Sequence, residues 1–374
     1  MNAFSKKKIL FLIPTLGGGG AERVLVNLAN NLDYNKYEVT IQTIFKAGFN
    51  ASFLNSDLKF KQGKIKQFKG STHLLKLLSP RLLYRLIVGK KYDVAISYLE
   101  GPSARIVSGC PYTDSKLINW IHCVHKNEKE VYHSFRSMSE AKNCYSRYHA
   151  NAYVSEKVRD EFLKYFPELQ NNNVIYNTNE DDKIRSMISE AINDYDFSGG
   201  KTVISVGRLI PVKGYERLIN AHSRCIRDGF FHHLLIIGEG EMRQKLQSLA
   251  DSLGCSETVH LIGFRKNPYK YISKADLYVC SSYSEGFSTA VTEAFILGKP
   301  VVTTRISGAT EQCGDNNEYG IVVDNSEDGI YKGLELFLSD KECLNHYAIM
   351  ACKRGNMFSK KNAVLSVQNM IDFI

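Results

Sequence analysis

SSYSEGFSTAVTEAFILGKPVVTT, residues 281–304, follows directly on the apolar run Leu277–Cys280. The run ends in a polar, glycine-containing loop. Val291, Ala294, Phe295 and Leu297 then recur at helical spacing, and a second apolar run begins at Pro300. Strand, loop, helix and strand make a βαβ unit, and the fold class that follows is α/β with a parallel sheet. Glu285 falls in the loop, and Glu293 lies inside the helix about two turns later. Between them Gly286, Phe287, Ser288 and Thr289 set backbone N–H groups at the helix start, where about half a positive charge collects. An anion suits that position, and a phosphate suits it well. With a carboxylate on either side, the arrangement matches a nucleotide-sugar, whose hydroxyls flank a diphosphate. Two glutamates at this spacing also occur as the solvated face of many helices, so the neighbouring stretches must decide.

Outward from this stretch the pattern repeats. Apolar runs at Thr202–Val206, Leu234–Ile237, Val259–Ile262, Val301–Thr304 and Ile321–Val323 alternate with helical segments. A first series runs through Ile9–Pro14, Val39–Ile44, Val94–Tyr98, Lys116–Ile121, Ala152–Ser155 and Val174–Tyr176. The polar, acidic stretch between the series divides the chain into a first domain at 1–178, a hinge at 179–200 and a second domain at 201–374. The tail from Asp324 reads as two or three helices, the last of which could pack back on the first domain. Ligands in such sheets sit at the carboxyl ends of strands.

Two loops at those ends carry chemistry. In VGRLIPVKGYERLINA (206–221) a strand ends at Gly207, and Arg208 and Lys213 lie on the way into the next helix. Two cations there suit a departing diphosphate, on which charge accumulates as its bond breaks. Two solvated basic residues are the bland alternative. The run Gly17–Gly20 follows the first strand and opens a helix, but the second strand lacks the acidic residue that a dinucleotide fingerprint requires.

Taken together, the E-x7-E spacing of Glu285 and Glu293, the Arg208–Lys213 loop and IIGEGEMRQKL (236–246) resemble the retaining glycosyltransferases of family 4. EGFS stands where EGFG is commoner. The resemblance implies a GT-B fold: two doubly wound, Rossmann-like domains with a cleft between them. It further implies Glu293 on the ribose, Glu285 on the sugar hydroxyls, and Arg208 with Lys213 on the diphosphate. Backbone at Gly286, Phe287, Ser288 and Thr289 would meet the donor. Gly18 and Gly19 would approach its distal phosphate, Gly238 and Gly240 would lie beside the nucleotide, and the loop of Gly263 and Phe264 would meet the base. His122, in preference to His125, would face the 6-hydroxyl region of the donor sugar, although a lone histidine near an apolar strand is usually a core residue. Ser97–Arg105 and Trp120–His125 resemble acceptor-domain stretches of polysaccharide-assembly enzymes. Glu100 is a lesser candidate there, with helix capping as its alternative.

The expected activity is transfer of a hexose or N-acetylhexosamine from a nucleoside-diphosphate sugar, with uridine preferred over guanosine, to a growing lipid-linked glycan. No metal and no separate cofactor is expected. Asp194-Tyr195-Asp196 spells the metal-binding D-x-D of the other large glycosyltransferase fold, but it sits in the polar hinge and reads as chance. Two alternatives are an epimerase-like enzyme on the same fold and a catalytically silent glycan-binding protein. The combination of Arg208, Lys213 and both glutamates speaks against each.

Composition narrows the setting. At 374 residues, 44% hydrophobic and 23% charged, the chain suits two globular domains and carries no membrane-length apolar run. Its opening imitates a signal peptide, yet Ile9–Leu16 is short and contains Pro14, so a first strand is the better reading. Nine cysteines with no C-x-x-C pair and no evident metal spacing with the ten histidines read as reduced thiols in the cytoplasm. The net charge of +9 gathers between Lys59 and Lys91, where there is no Asp or Glu. Lys59, Lys61, Lys64, Lys66, Lys69, Lys76, Arg81, Arg85, Lys90 and Lys91 alternate there with leucines. Such a segment either lies on the anionic inner face of the cell membrane or packs on the first domain with its basic face in water. Nucleic acid is not expected, since no binding motif accompanies the charge.

Overall fold

The computed structural model describes residues 6–46, 48–64, 66, 70–125 and 127–374. They form two compact units: the chain up to Thr178 together with Lys360–Ile374, and Asn179–Ser359.

The first unit is built on a parallel sheet of β1 (Lys7–Ile13), β2 (Tyr37–Thr43), β3 (Lys59–Lys61), β4 (Val94–Tyr98), β5 (Lys116–Ile121), β6 (Ala150–Tyr153) and β7 (Asn172–Val174), in the order β3-β2-β1-β4-β5-β6-β7. The second holds β8 (Thr202–Val206), β9 (His233–Ile237), β10 (Val259–Gly263), β11 (Leu277–Cys280), β12 (Val301–Thr304) and β13 (Ile321–Val323), in the order β10-β9-β8-β11-β12-β13. Helices cover the sheets, so central strands such as β4 and β11 are buried throughout, which is why they read as unbroken apolar runs. In each sheet the strand order reverses once, between β1 and β4 and between β8 and β11. The carboxyl ends of those pairs are the topological switch points where such sheets take ligands.

Three readings change. Strand β3, with sequence Lys-Phe-Lys, was not anticipated because an edge strand of three residues, two of them lysine, has no apolar signal; Lys59 pairs there with Glu38 at 2.8 Å. The hinge expected at 179–200 belongs to the second unit and contains a helix, Asp181–Ser186, whose Ile184 is buried. The second unit also ends at Ser359 rather than at residue 374. Helices Glu327–Ser339 and Lys341–Met357 stay with it, while the last, Lys360–Asp372, joins the first unit. There Tyr37 donates to Asp372 at 2.9 Å and Lys7 to the Ile371 carbonyl at 3.1 Å. No helix among the described residues is long and apolar enough to cross a membrane.

Candidate functional site

In the second unit the loops after β8 and β11 meet at the switch point, and they bring two of the expected residues into direct contact. Lys213 Nζ lies 2.5 Å from Glu285 Oε1, and the same oxygen accepts from Ser282 Oγ at 2.8 Å. Both side chains are about four-fifths covered, at 22% and 18% exposure. A water-sized cavity of about 10 Å³ opens among Ser205, Lys213, Tyr278, Ser282, Glu285 and Ser288. Arg208, on the same loop as Lys213, is exposed. Glu293 lies inside the helix Thr289–Ile296, where Tyr269 donates to its Oε1 at 3.2 Å.

The scaffold behind these groups depends on a residue that the sequence reading passed over. Arg217, on the buried face of the helix Tyr215–Arg227, donates to the Ser281 carbonyl at 3.0 and 2.6 Å and to the Ser282 carbonyl at 2.9 Å. Its guanidinium also stacks over the Tyr283 ring at 3.8 Å. Ser281 Oγ donates to the Lys213 carbonyl at 2.9 Å, and the Tyr283 N–H donates to the Val212 carbonyl at 2.8 Å. The loop carrying Lys213 and the loop carrying Glu285 are therefore one braced structure. Gly214 makes the close approach possible: with φ of 65° it lies where a Cβ would come 2.3 Å from the Ser281 carbonyl oxygen.

At several of the expected donor positions the side chains are packed within the fold. Phe287 is buried and packs against Phe358, and Ser288 is buried with no capping bond from its hydroxyl. The Ser288 carbonyl is held by Gln312 Nε2 at 2.8 Å. Only backbone is left to serve a ligand at these two positions, alongside the partly exposed Gly286 and Thr289. Gly238 and Gly240 line the passage of the Arg208 loop, since a Cβ on Gly238 would lie 1.8 Å from the Gly207 carbonyl oxygen and one on Gly240 2.3 Å from that of Leu209. Bonds from Gly207 N to the Ile237 carbonyl and from Leu209 N to the Glu239 carbonyl join the two loops. Phe264 is exposed after β10. Asp194 is engaged by Arg265 at 2.7 Å and by the Tyr271 hydroxyl at 2.6 Å, and Asp196 by Ser198 Oγ at 2.6 Å. The D-x-D carboxylates are thus spoken for within the fold.

In the first unit His122 follows β5, buried beside Tyr98 and Trp120, with ring centroids at 4.6 and 6.1 Å. Burial pushes its pKa down to about 4, against the pull of the Glu100 charge, so the ring is neutral at pH 7. Its Nε2 has no hydrogen-bond partner. A buried, unpartnered ring nitrogen is unusual. Glu100 does not cap a helix. One of its oxygens accepts the His122 N–H at 2.9 Å and the other accepts from the Cys123 thiol. His125 closes on the same group, so Glu100, Cys123 and His125 place donor atoms within 4.8 Å of one another. The cysteines were expected to show no metal-like cluster, a reading that fails here because Glu100 comes from a different strand end. Gly18 is exposed, and the Gly17–Gly19 turn is braced by Asn50 Nδ2, which donates to the carbonyls of Gly17 and Gly19.

The basic segment is not one amphipathic helix. It holds β3 and two short helices, Ser71–Leu75 and Pro80–Ile87, and Lys69 lies outside the described residues. Lys59 pairs with Glu38 and Lys91 with Asp114. Leu83 is buried, whereas Leu74, Leu77, Leu82 and Leu86 are exposed.

Residues 187–354 match the family described as Glycosyl transferases group 1. The chain is 36% identical over 162 residues to a Campylobacter jejuni N-acetylgalactosamine-N,N'-diacetylbacillosaminyl-diphospho-undecaprenol 4-alpha-N-acetylgalactosaminyltransferase, a match that covers 43% of each protein. It spans less than half the length of that relative and 36% of an uncharacterized Methanocaldococcus jannaschii glycosyltransferase. A second C. jejuni protein, a GalNAc-alpha-(1->4)-GalNAc-alpha-(1->3)-diNAcBac-PP-undecaprenol alpha-1,4-N-acetyl-D-galactosaminyltransferase, is 26% identical over 92% of the chain and 94% of its own length. Among solved structures, Anabaena Alr3699/HepE in complex with UDP superposes with a TM-score of 0.80 at 19% identity, covering 98% of this chain and all of that one. The fold is therefore that of the GT-B glycosyltransferases. Residues 187–354, which match the group 1 glycosyl transferases, lie within its second unit.

Proposed function

We propose that the chain transfers a hexose or N-acetylhexosamine from a UDP-sugar to a growing, lipid-linked, cell-surface glycan, with retention and with no metal at the diphosphate. The observation that carries the reading is the Lys213–Glu285 contact at the β8/β11 switch point, with Glu293 one helix further on. A cation and an acidic hydrogen-bond acceptor held side by side suit a diphosphate and its sugar. Arg208 and Lys213 take the diphosphate, Glu285 the sugar hydroxyls and Glu293 the ribose. The bond from the sugar's C1 to the phosphate oxygen breaks, C1 bonds to the acceptor oxygen on the same face, and the departing diphosphate oxygen takes the acceptor's proton. The UDP complex of Alr3699/HepE and the undecaprenol-linked substrates in the names of the C. jejuni relatives support the donor and acceptor classes. His122, with its neutral ring, and the Gly18–Gly19 turn are the first unit's candidates for sugar and phosphate contact. A thermal-shift panel of UDP, GDP, ADP and CMP on wild type and Glu293→Ala tests the donor. A ligand at a hundred times its Kd stabilises by about 2.7 kcal/mol. A shift with UDP that the variant loses supports the reading, whereas no shift with any nucleotide removes it.

For the acceptor side we propose peripheral attachment to the anionic inner face of the membrane. Arg105, fully buried, donates to the Leu75 and Leu78 carbonyls at 2.8 Å each, and Arg136 to those of Lys76 and Leu77 at 2.6 and 3.0 Å. Four consecutive carbonyls are satisfied from the protein side, so the exposed Leu77 stands on backbone that needs little water, with Leu82 and Leu86 exposed on the next helix. Lys64, Lys66, Arg81 and Arg85 are exposed nearby in sequence.

A further inference from the structure

Glu100 and the pair Cys123 and His125 lie just past the carboxyl ends of the adjacent strands β4 and β5. Their convergence has a backbone cause. Leu99 has a φ of 80°, a left-handed conformation that a leucine rarely adopts, and Gly101 follows at 85°. Between them Glu100 is turned towards the end of β5, where the His122 N–H fixes one carboxylate oxygen and leaves the other facing Cys123. Cys123 and His125 are two residues apart, a spacing that puts side chains of an extended segment on one side. The result is a carboxylate, a thiol and an imidazole with donor atoms within 4.8 Å of one another.

We propose that Glu100, Cys123 and His125 bind one divalent cation of the zinc class, with a fourth position open to water. The donor set carries the choice of ion: a thiolate with an imidazole selects zinc-like, borderline-soft metals, whereas a hard ion such as magnesium prefers oxygen ligands alone. Zinc bonds of about 2.0–2.3 Å in a tetrahedron hold ligand atoms roughly 3.3–3.8 Å apart, so small side-chain rotations close the present spread. The His122 N–H that grips Glu100 orients a ligand in the way outer-shell partners of metal sites do. Cys123 is exposed, which gives the ion a way in. On loading, the Cys123 S–H bond breaks, its proton goes to solvent and the thiolate sulfur bonds the metal. The bound ion would tie the β4 and β5 loops together beside His122. The site involves none of the second unit's donor residues, and the inference stands or falls separately from the transferase reading.

The test uses the full chain, stripped with a chelator and titrated with zinc against a chromophoric competitor, then with cobalt(II). One equivalent of zinc should bind, and the cobalt form should show thiolate-to-metal charge-transfer absorption. Cys123→Ser and His125→Ala should each weaken zinc binding about tenfold or more while far-UV circular dichroism stays unchanged. Should the serine variant misfold, His125→Ala decides the matter, since it removes a different ligand. Failure of wild type to compete for zinc, or equal affinity in the folded variants, overturns the proposal.

Discussion

Lys213 Nζ and Glu285 Oε1 sit 2.5 Å apart, joining the loop after β8 to the loop after β11 at the point where the strand order reverses. In the proposed reaction these two groups part company: the cation turns to the diphosphate and the carboxylate to the sugar. The pair therefore holds both groups in place before the donor arrives and competes with the donor for Lys213.

That competition predicts opposite signs for one substitution. Glu285→Gln releases Lys213, and a partly exposed ion pair is worth up to about 1 kcal/mol. UDP alone should then bind up to about fivefold more tightly, while turnover of UDP-sugar falls on the order of 100-fold. Calorimetry with UDP and a steady-state assay give the two numbers. Loss of UDP affinity in step with turnover would contradict the sugar-side role of Glu285.

Glu293 is expected to act on the nucleotide itself. Glu293→Ala should cost roughly 1–3 kcal/mol of UDP binding through lost charged hydrogen bonds. Tyr269→Phe removes only the 3.2 Å bond that steadies this carboxylate, so its loss should be smaller. UDP affinity left untouched in Glu293→Ala would remove the ribose assignment.

Much of this was legible before any coordinates. Fully buried parallel strands such as Leu277–Cys280 and Val94–Tyr98 are continuous apolar runs, and their limits are those read from the sequence. The loops bearing Arg208, Lys213 and Glu285 were likewise recognisable, because glycine and charge interrupt the pattern at strand ends. What stayed hidden depends on partners distant in the chain. Arg217 looks like one more charge on a helix until the Ser281 and Ser282 carbonyls arrive from 64 and 65 residues away. Nor does the sequence show that the Gly207 carbonyl occupies the space a Cβ on Gly238 would need. The helix Lys360–Asp372, by contrast, joins the first unit, as the reading of the tail allowed.

Arg217→Met tests the brace. It keeps the bulk but leaves two buried carbonyls without their charged donor, an expected loss of about 3 kcal/mol from the second unit. Turnover should fall with it, because the loops bearing Lys213 and Glu285 lose their shared anchor. Unfolding followed by a probe within the second unit is the proper readout, since a two-unit chain need not melt in one step. A melting temperature equal to wild type would show that the brace is dispensable.

A histidine cluster in the second unit gives a pH dependence. His222 Nδ1 and His232 Nε2 are 2.8 Å apart, and His222 Nε2 lies 2.9 Å from Thr258 Oγ1. Burial first, then neighbouring His232, His233 and His260, push the His222 pKa down to about 3; burial, with His233 and Lys201, takes that of His232 to about 4, although the Phe230 carbonyl opposes it. The unfolded chain protonates both rings near pH 6.5 and the folded one does not, so below that pH the unfolded state binds more protons. Stability is full above pH 6.5 and declines as pH falls towards 4, by at most about 1.4 kcal/mol per pH unit from each ring. Wild type should lose stability over this window faster than His222→Gln. Parallel curves for the two proteins would mean that the ring is not held neutral.

The exposed leucines give the last expectation. Leu77, on the stretch whose carbonyls Arg105 and Arg136 hold, is 76% exposed, and Leu86, on the following helix Pro80–Ile87, is 66% exposed. Replacing both by Ser removes apolar contact with lipid, and neither side chain contributes to the core. Neutralising Lys64, Lys66, Arg81 and Arg85 removes attraction of about 1 kcal/mol each near an anionic surface. Vesicles of mixed anionic and zwitterionic lipid should sediment the wild type but neither variant, and salt should release the wild type as it screens the charges. Soluble UDP binding should be unchanged in both, because the substitutions lie in the first unit and the β8/β11 loops belong to the second. Co-sedimentation unaffected by either change would remove the membrane from the reading and leave the basic face as a solvated surface.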